Sequence, residues 1–160
     1  MKGKGKSVLL GIALIVLFVI IDQVTKYIAF KYFTMTKTYK CIPGLFRISL
    51  VENTGGAFGV LEGKMWFLIG ITVLSMGFFA FLMKDYDLKE NTIYSVCLTL
   101  IISGTIGNFI DRIFRGSVRD FLTFDFMSFP SFNFADMCMT FGIILLMFEI
   151  LFGETGKKWK

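Results

Sequence analysis

The sequence predicts an all-α membrane protein, with four transmembrane helices and a small β-sheet lying on one membrane face. Three observations carry this. The 160-residue chain is 55% hydrophobic, holds twenty phenylalanines and has only 18% charged residues, more apolar surface than one soluble domain of this size can bury. Its apolar residues gather in four runs of spanning length. Between the last two runs, the thirty residues from Gly107 to Asp136 hold four of the seven aspartates, three of the four arginines and two asparagines. Charge beside membrane-length segments is costly to keep, so a polar cluster there is a functional hypothesis by default.

The elements follow in chain order as one integral membrane domain over residues 1–160, with spans at about 7–30, 65–83, 91–112 and 134–152. Residues 2–6 (KGKGK) are basic, and an apolar run follows from Val8 to Ile21. That is also how a secretory signal peptide begins, but no small-x-small cleavage site follows and the helical pattern continues to Phe30. At about 1.5 Å per residue, 7–30 is long enough to cross a hydrocarbon core of about 30 Å. Asp22 and Lys26 are four apart with the acid first, so they can neutralise each other on one helix face, turned towards other helices. Residues 36–64 form the sheet region: Pro43-Gly44 marks a turn and Phe46–Leu50 alternates as a strand does. Glu52 to Gly59 (ENTGGAFG) reads as a loop whose glycines allow close approach.

Met65 to Met83 is nineteen residues without a charge, the second span. Lys84 to Glu90 (KDYDLKE) reads as a solvated charged turn. Asn91 onwards is the third span, where Gly104 and Gly107 admit a close neighbouring helix. Asn108, Asp111 and Arg112 share one face by their spacing, with Asp111 and Arg112 expected to pair. Phe134 to Phe152 is the fourth span, followed by a basic tail (GETGKKWK).

Four spans put both termini on one side. The termini and the 84–90 loop hold eight basic residues, and the other two loops also hold eight over more than twice the length. The denser set marks the cytoplasmic side, so the sheet region and the 111–133 loop face outwards together. The net charge of +5, with lysines at both ends, suits anionic phospholipid headgroups. Nucleic acid is a poor partner, since no folded basic surface is evident. Cys41, Cys97 and Cys138 have unrelated spacings and suggest neither a zinc site nor a disulfide framework; Cys97 and Cys138 read as core residues. There is no histidine, which removes Ser-His-Asp and Cys-His mechanisms and histidine-ligated metal. No cofactor or metal ligand set is expected.

The remaining chemistry points to carboxylates. Asp120 and Asp136 lie at the same membrane face, across the loop joining the third and fourth spans. Two close carboxylates cannot both ionise cheaply, so such a pair keeps one proton. The ionised member can deprotonate water while the other donates to a carbonyl, which is sufficient machinery for peptide hydrolysis without histidine or metal. Asn108, Asn133 and Arg112 could hold substrate or orient the pair. The same carboxylates could alternatively serve a small membrane transporter or channel-like protein, but its ionisable groups should sit near the midplane, whereas here they gather at one face. A structural membrane subunit would not need two converging aspartates.

Five stretches, in order, are similar to one family: Asp22-Gln23-Val24-Thr25-Lys26, Asn53-Thr54-Gly55-Gly56-Ala57-Phe58-Gly59, Gly107-Asn108-Phe109-Ile110-Asp111-Arg112, Val118-Arg119-Asp120-Phe121 and Phe132-Asn133-Phe134-Ala135-Asp136. Together with the hydropathy they resemble lipoprotein signal peptidase (signal peptidase II), a bacterial intramembrane aspartyl peptidase family. The resemblance implies a multi-pass inner-membrane endopeptidase with four helices, a small extracytoplasmic sheet and a short surface helix. Its substrates would be diacylglyceryl-modified prolipoproteins, cut just before the lipidated cysteine, and it would be inhibited by the cyclic peptide globomycin. By motif, Asp120 and Asp136 would be catalytic, and Asn53, Asn108, Asp111, Arg112, Asn133, Asp22 and Lys26 would support site and substrate. A monomer is expected. Two residues depart from the family pattern. Gly56 stands where an alanine is usual, and Arg119 stands where an apolar residue is usual. Alternation along an extended segment turns Arg119 away from Asp120, towards solvent or lipid phosphate.

Overall fold

The computed structural model describes residues 2–56 and 60–153. Ala57, Phe58 and Gly59 of the second motif, and Lys157, Lys158 and Lys160 of the tail, lie outside the described residues. The elements run α1 (Lys2–Tyr32), β1 (Tyr39–Ile42), β2 (Phe46–Asn53), α2 (Met65–Leu82), α3 (Thr92–Arg115), β3 (Val118–Phe124) and α4 (Phe134–Phe152), with a 3-10 turn at Met83–Asp85. All four helices are long and apolar enough to cross a membrane.

One helix is unlike the others. In its most apolar window α3 is 61% buried, against 6% to 17% for the other three, so α3 is the central post on which the others pack. Its small residues make this possible. A side chain at Gly104 would run into the α4 backbone at Ala135, and one at Gly107 would run into the Asp22 carboxylate of α1. Both helices therefore approach α3 at the level of the polar cluster. The outward faces of α1, α2 and α4 carry exposed Leu, Ile, Val and Phe, as lipid contact requires.

The sheet has three antiparallel strands in the order β1-β2-β3. Its third strand comes from the α3–α4 connection, which the alternation of Phe46–Leu50 alone does not reveal. Gly116, in the left-handed conformation (φ 69°), ends α3 and turns the chain into β3. At the hairpin tip, the Gly44 backbone N–H donates to Asp125 Oδ2 at 3.1 Å and the Asp125 N–H donates to the Leu45 carbonyl at 3.0 Å. Ala29 of α1 packs with Leu50 and Phe121, joining the first helix to the sheet.

The Lys84–Glu90 turn is not simply solvated. Tyr86 is fully buried and forms a core with Leu82, Tyr94 and Leu98, because Gly11 on α1 leaves room for its ring. Between β2 and α2, Val60–Gly63 forms turns.

Candidate active site

Asp136 is placed by how α4 begins. Asn133 is the N-cap: its Oδ1 accepts from the Asp136 backbone N–H and its own N–H donates to Asp136 Oδ2, each at 3.0 Å. This reciprocal capping box fixes the third residue of the helix and its carboxylate together. The second oxygen, Oδ1, accepts from Asn108 Nδ2 at 2.7 Å. Both Asp136 oxygens are thus held by neutral N–H groups.

Asp120 is placed by the sheet. Val51 pairs with Asp120 and Asn53 with Val118, after an irregularity in β2 between Ile48 and Val51. That extra residue shifts the alternation by one, so that Asn53 lies diagonally beside Asp120 on one face. Asn53 Nδ2 donates to Asp120 Oδ2 at 3.0 Å, and Asn133 Nδ2 donates to Asp120 Oδ1 at 2.7 Å. Asn133 is therefore common to both aspartates: its amide holds Asp120 while its backbone holds Asp136. Among the described residues neither aspartate is in an ion pair.

The charged groups of the cluster satisfy one another a layer behind. Lys26 Nζ donates to Asp22 Oδ2 and to Asn108 Oδ1, both at 2.9 Å, and lies 3.6 Å from Asp111 Oδ2. Arg119 is 4% exposed, and its side chain reaches Asp111 through Nη2 at 2.7 Å and Nε at 3.1 Å. Two expectations are corrected here. Arg119 does turn to the face opposite Asp120, but α1 and α3 cover that face, so it meets Asp111 and not solvent or lipid phosphate. Asp111 accordingly pairs with Arg119 and Lys26, and Arg112 is left to the cavity. Asp22, Lys26 and Asp111 are almost wholly buried, and the two α1 residues face α3 and α4 as the polar face of the first helix should.

Asp120 and Asp136 line one cavity of about 720 Å³, with Asn53, Asn108 and Arg112 at its polar end. Phe46, Phe124 and Phe129 wall the sheet side, while Met137, Phe141 and Ile143 continue the cavity along α4. Burial pushes the Asp120 carboxyl up to about 7, and the negative charge of Asp136 pushes the same way; the amides of Asn53 and Asn133 and the charge of Lys26 pull back less. Arg112 lines the cavity, and among the described residues its buried Nε has no hydrogen-bond partner.

All nine residues singled out in the sequence gather at this end. Six meet at the cavity or beside it (Asp120, Asp136, Asn53, Asn108, Arg112, Asn133), and three stand behind (Asp22, Lys26, Asp111). Asp125, a nearby acid, is taken up by the hairpin tip. Gln23, quoted in the first motif without a role, bonds Asp22, Arg119 and the Gly107 carbonyl. Its signal was an uncharged polar residue beside Asp22 within an apolar helix.

A model of the family described as signal peptidase (SPase) II matches residues 14–152. Relatives named lipoprotein signal peptidase include one from Lactiplantibacillus plantarum, 38% identical over 91% of this chain and 96% of that protein. Another, from Enterococcus faecalis, is 40% identical over 89% and 88% of the two chains. A solved bacterial membrane enzyme, determined by the in meso method at 2.3 Å, superposes with a TM-score of 0.83 at 35% identity, covering 94% of this chain and 92% of that one.

Proposed function

The chain belongs to the signal peptidase II family, and from that membership we propose that Asp120 and Asp136 are the catalytic pair with which it cuts diacylglyceryl-modified prolipoproteins just before the lipidated cysteine. The protein is an aspartic peptidase of the signal peptidase II type, and prolipoprotein signal peptides are its substrate class. One observation carries the assignment of the pair: two buried carboxylates on one cavity, each held by amide N–H groups instead of cations.

The surroundings account for the chemistry. A cation bonded to either aspartate would favour its ionised form and empty the pair of its proton. Amides orient the carboxylates without that penalty. With Asp120 pushed up to about 7 by burial and by Asp136, Asp120 can carry the pair's one proton near neutrality. Asp136 then takes a proton from water as the water oxygen bonds to the scissile carbonyl carbon. Asp120 gives its proton to the carbonyl oxygen, leaving a neutral gem-diol. On collapse the C–N bond breaks, the departing nitrogen takes the proton held by Asp136, and a hydroxyl proton returns to Asp120. Arg112, at the cavity wall, offers its guanidinium to a substrate carbonyl and balances the single negative charge of the pair.

The apolar wall along α4 suits the lipid part of the substrate. Ile143 lies seven residues beyond Asp136, about 10 Å down the helix, so acyl chains can lie there while the cysteine sits at the aspartates. The site then faces the extracytoplasmic side with both termini cytoplasmic, and the protein works as a monomer among phospholipids. Globomycin would occupy the same cavity.

The test is cleavage of a diacylglyceryl-modified prolipoprotein by purified wild type, Asp120→Asn and Asp136→Asn in detergent, with thermal melts to check folding. Cleavage by wild type and loss of about 10²- to 10⁴-fold in each folded variant supports the pair. Substantial activity in either variant removes that residue from the chemistry, and no cleavage by wild type removes the substrate.

A further inference from the structure

The residue before each candidate aspartate is itself anchored, and both anchors lead to one buried network. On the β3 side, three groups of Arg119 bond Asp111: the backbone N–H to Oδ2 at 3.0 Å, Nε to Oδ2 at 3.1 Å and Nη2 to Oδ1 at 2.7 Å. On the α4 side, the backbone N–H of Ala135 donates to Asp22 Oδ1 at 3.0 Å. Two residues of α1 join these anchors. Lys26 lies between Asp22 and Asp111. Gln23 accepts from Arg119 Nη2 at 2.8 Å and donates to Asp22 Oδ2 at 3.0 Å and to the Gly107 carbonyl at 3.1 Å.

We propose that Arg119 and Gln23 are positioning residues for the hydrolysis, closing a buried belt through Asp22, Lys26 and Asp111 that sets where Asp120 and Asp136 stand relative to each other. Asp22 and Asp111 supply two negative charges, and Lys26 and Arg119 two positive ones, so the belt is neutral behind the pair. Without the Arg119 side chain, Asp111 keeps the backbone N–H at position 119 and Lys26 as its one cation, and the unbalanced charge draws Lys26 from Asn108 Oδ1 towards Asp111. Asn108 in turn holds Asp136 Oδ1. One change in β3 thereby reaches the aspartate of α4 across α1 and α3.

This rests on the catalytic reading of Asp120 and Asp136, so wild type and Asp120→Asn are run beside the test variants. The variants are Arg119→Leu, Arg119→Lys and Gln23→Leu, assayed for kcat, KM and the pH profile of kcat, with melts. Arg119→Leu should lower kcat about 10- to 100-fold with KM within about threefold, since small misplacements of reacting groups cost that much. It should also move the alkaline limb of the profile upwards. The charged groups around the pair are Lys26 and Asp22 from α1, and Asp111 and Arg112 from α3. Glu52 of β2 is opposite Arg119 in the register and exposed. Losing the one cation leaves a net negative charge behind the pair, so its proton is held to higher pH.

Arg119→Lys should return the limb to its wild-type position and recover most of kcat. Gln23→Leu, which changes no charge, should lower kcat about fivefold to tenfold with no movement of the limb. If Arg119→Leu folds and keeps both kcat and limb, the belt has no positioning role. If it does not fold, Gln23→Leu decides: unchanged kcat overturns the proposal and a lowered kcat at constant KM upholds it. Failure of wild type to cleave would instead overturn the assignment of substrate and pair.

Discussion

Buried polar groups sit at both ends of α3, and the two ends differ in kind. At the end near Arg115, carboxylates and cations meet on four elements, and two aspartates share a cavity. At the end near Thr92, hydroxyls bond one another and the backbone. Tyr86 Oη and Thr99 Oγ1 are 2.9 Å apart, Tyr94 Oη donates to the Leu82 carbonyl at 3.0 Å, and Ser95 Oγ accepts from the Asp87 N–H at 2.9 Å. Both ends contain an aspartate that accepts N–H bonds. Asp87 Oδ1 accepts from the backbone of Lys89 at 2.9 Å and from Ser7 Oγ at 3.2 Å, and the Lys89 N–H chiefly holds its carboxyl below the usual range. Asp120 also accepts two N–H bonds, yet its carboxyl is raised to about 7. Hydrogen bonds alone therefore do not decide an aspartate's role. Burial facing a second acid does, and it separates a turn-forming aspartate from one that can carry a proton at neutral pH.

The largest expected effect breaks this comparison directly. Asp120→Asn and Asp136→Asn should each remove nearly all cleavage, while Asp87→Asn should stay within about threefold of wild type, since general acid–base groups contribute about 10²- to 10⁴-fold and turn residues none. Comparable losses in all three, measured on folded protein, would mean that position along α3 does not sort the aspartates. Next in size is Asn133→Ala, which removes the helix cap and the amide on Asp120 together. The cap costs about 1 kcal/mol, a modest fall in melting temperature. The loss of placement should cost about 10²-fold in kcat. A melting shift with activity unchanged would reduce Asn133 to a cap.

Acidity sharpens the contrast, because the two ends titrate with opposite sign. Asp120 is 2% exposed, and its carboxyl rises from the ordinary 3.8 to about 7. Between these values the folded protein keeps a proton that the unfolded chain has released, so stability falls as pH rises from about 4 to 7 and then levels, by on the order of a few kcal/mol. Asp87 is lowered, so its contribution is present above 3.8 and fades only in more acid solution. Melts of wild type and Asp120→Asn from pH 5 to 8 should show a falling melting temperature for wild type and a flatter line for the variant. Parallel lines would place the buried proton elsewhere. Over the same range kcat should decline above about pH 7, as Asp120 loses its proton.

Much of this was legible in the sequence because a membrane imposes coarse, strong rules. Uncharged runs such as Met65–Met83 can be little else than spans, and charge packed between Gly107 and Asp136 has few innocent readings. Asn133 and Asp136, at N-cap and third position, also carry a local signature of a helix start. Partner choice among charges was not legible. Asp111 and Arg112 are adjacent in sequence, but Arg119 reaches Asp111 because β3 folds back against α3, a tertiary fact. Tyr86 looks solvated among Lys84, Asp85, Asp87 and Lys89 until Gly11, seventy-five residues away, makes room for its ring. Pairing and burial depend on which elements meet, and spacing along the chain does not contain that.

The smallest expected effect concerns the quiet end of α3. Thr99 Oγ1 gives its own hydrogen to the Ser95 carbonyl at 2.9 Å, so Tyr86 must be the donor in the Tyr86–Thr99 pair. Tyr86→Phe removes that donor without changing the ring that fills the space beside Gly11. A buried hydrogen bond contributes about 0.5–1.5 kcal/mol, which for a protein of this size is a melting shift of about 2–4 °C. Activity at 25 °C should remain within about twofold, because no charge and no belt residue is touched. A tenfold fall in kcat in folded Tyr86→Phe would show that α3 carries strain from one end to the other, and the separation between a structural end and a chemical end would fail.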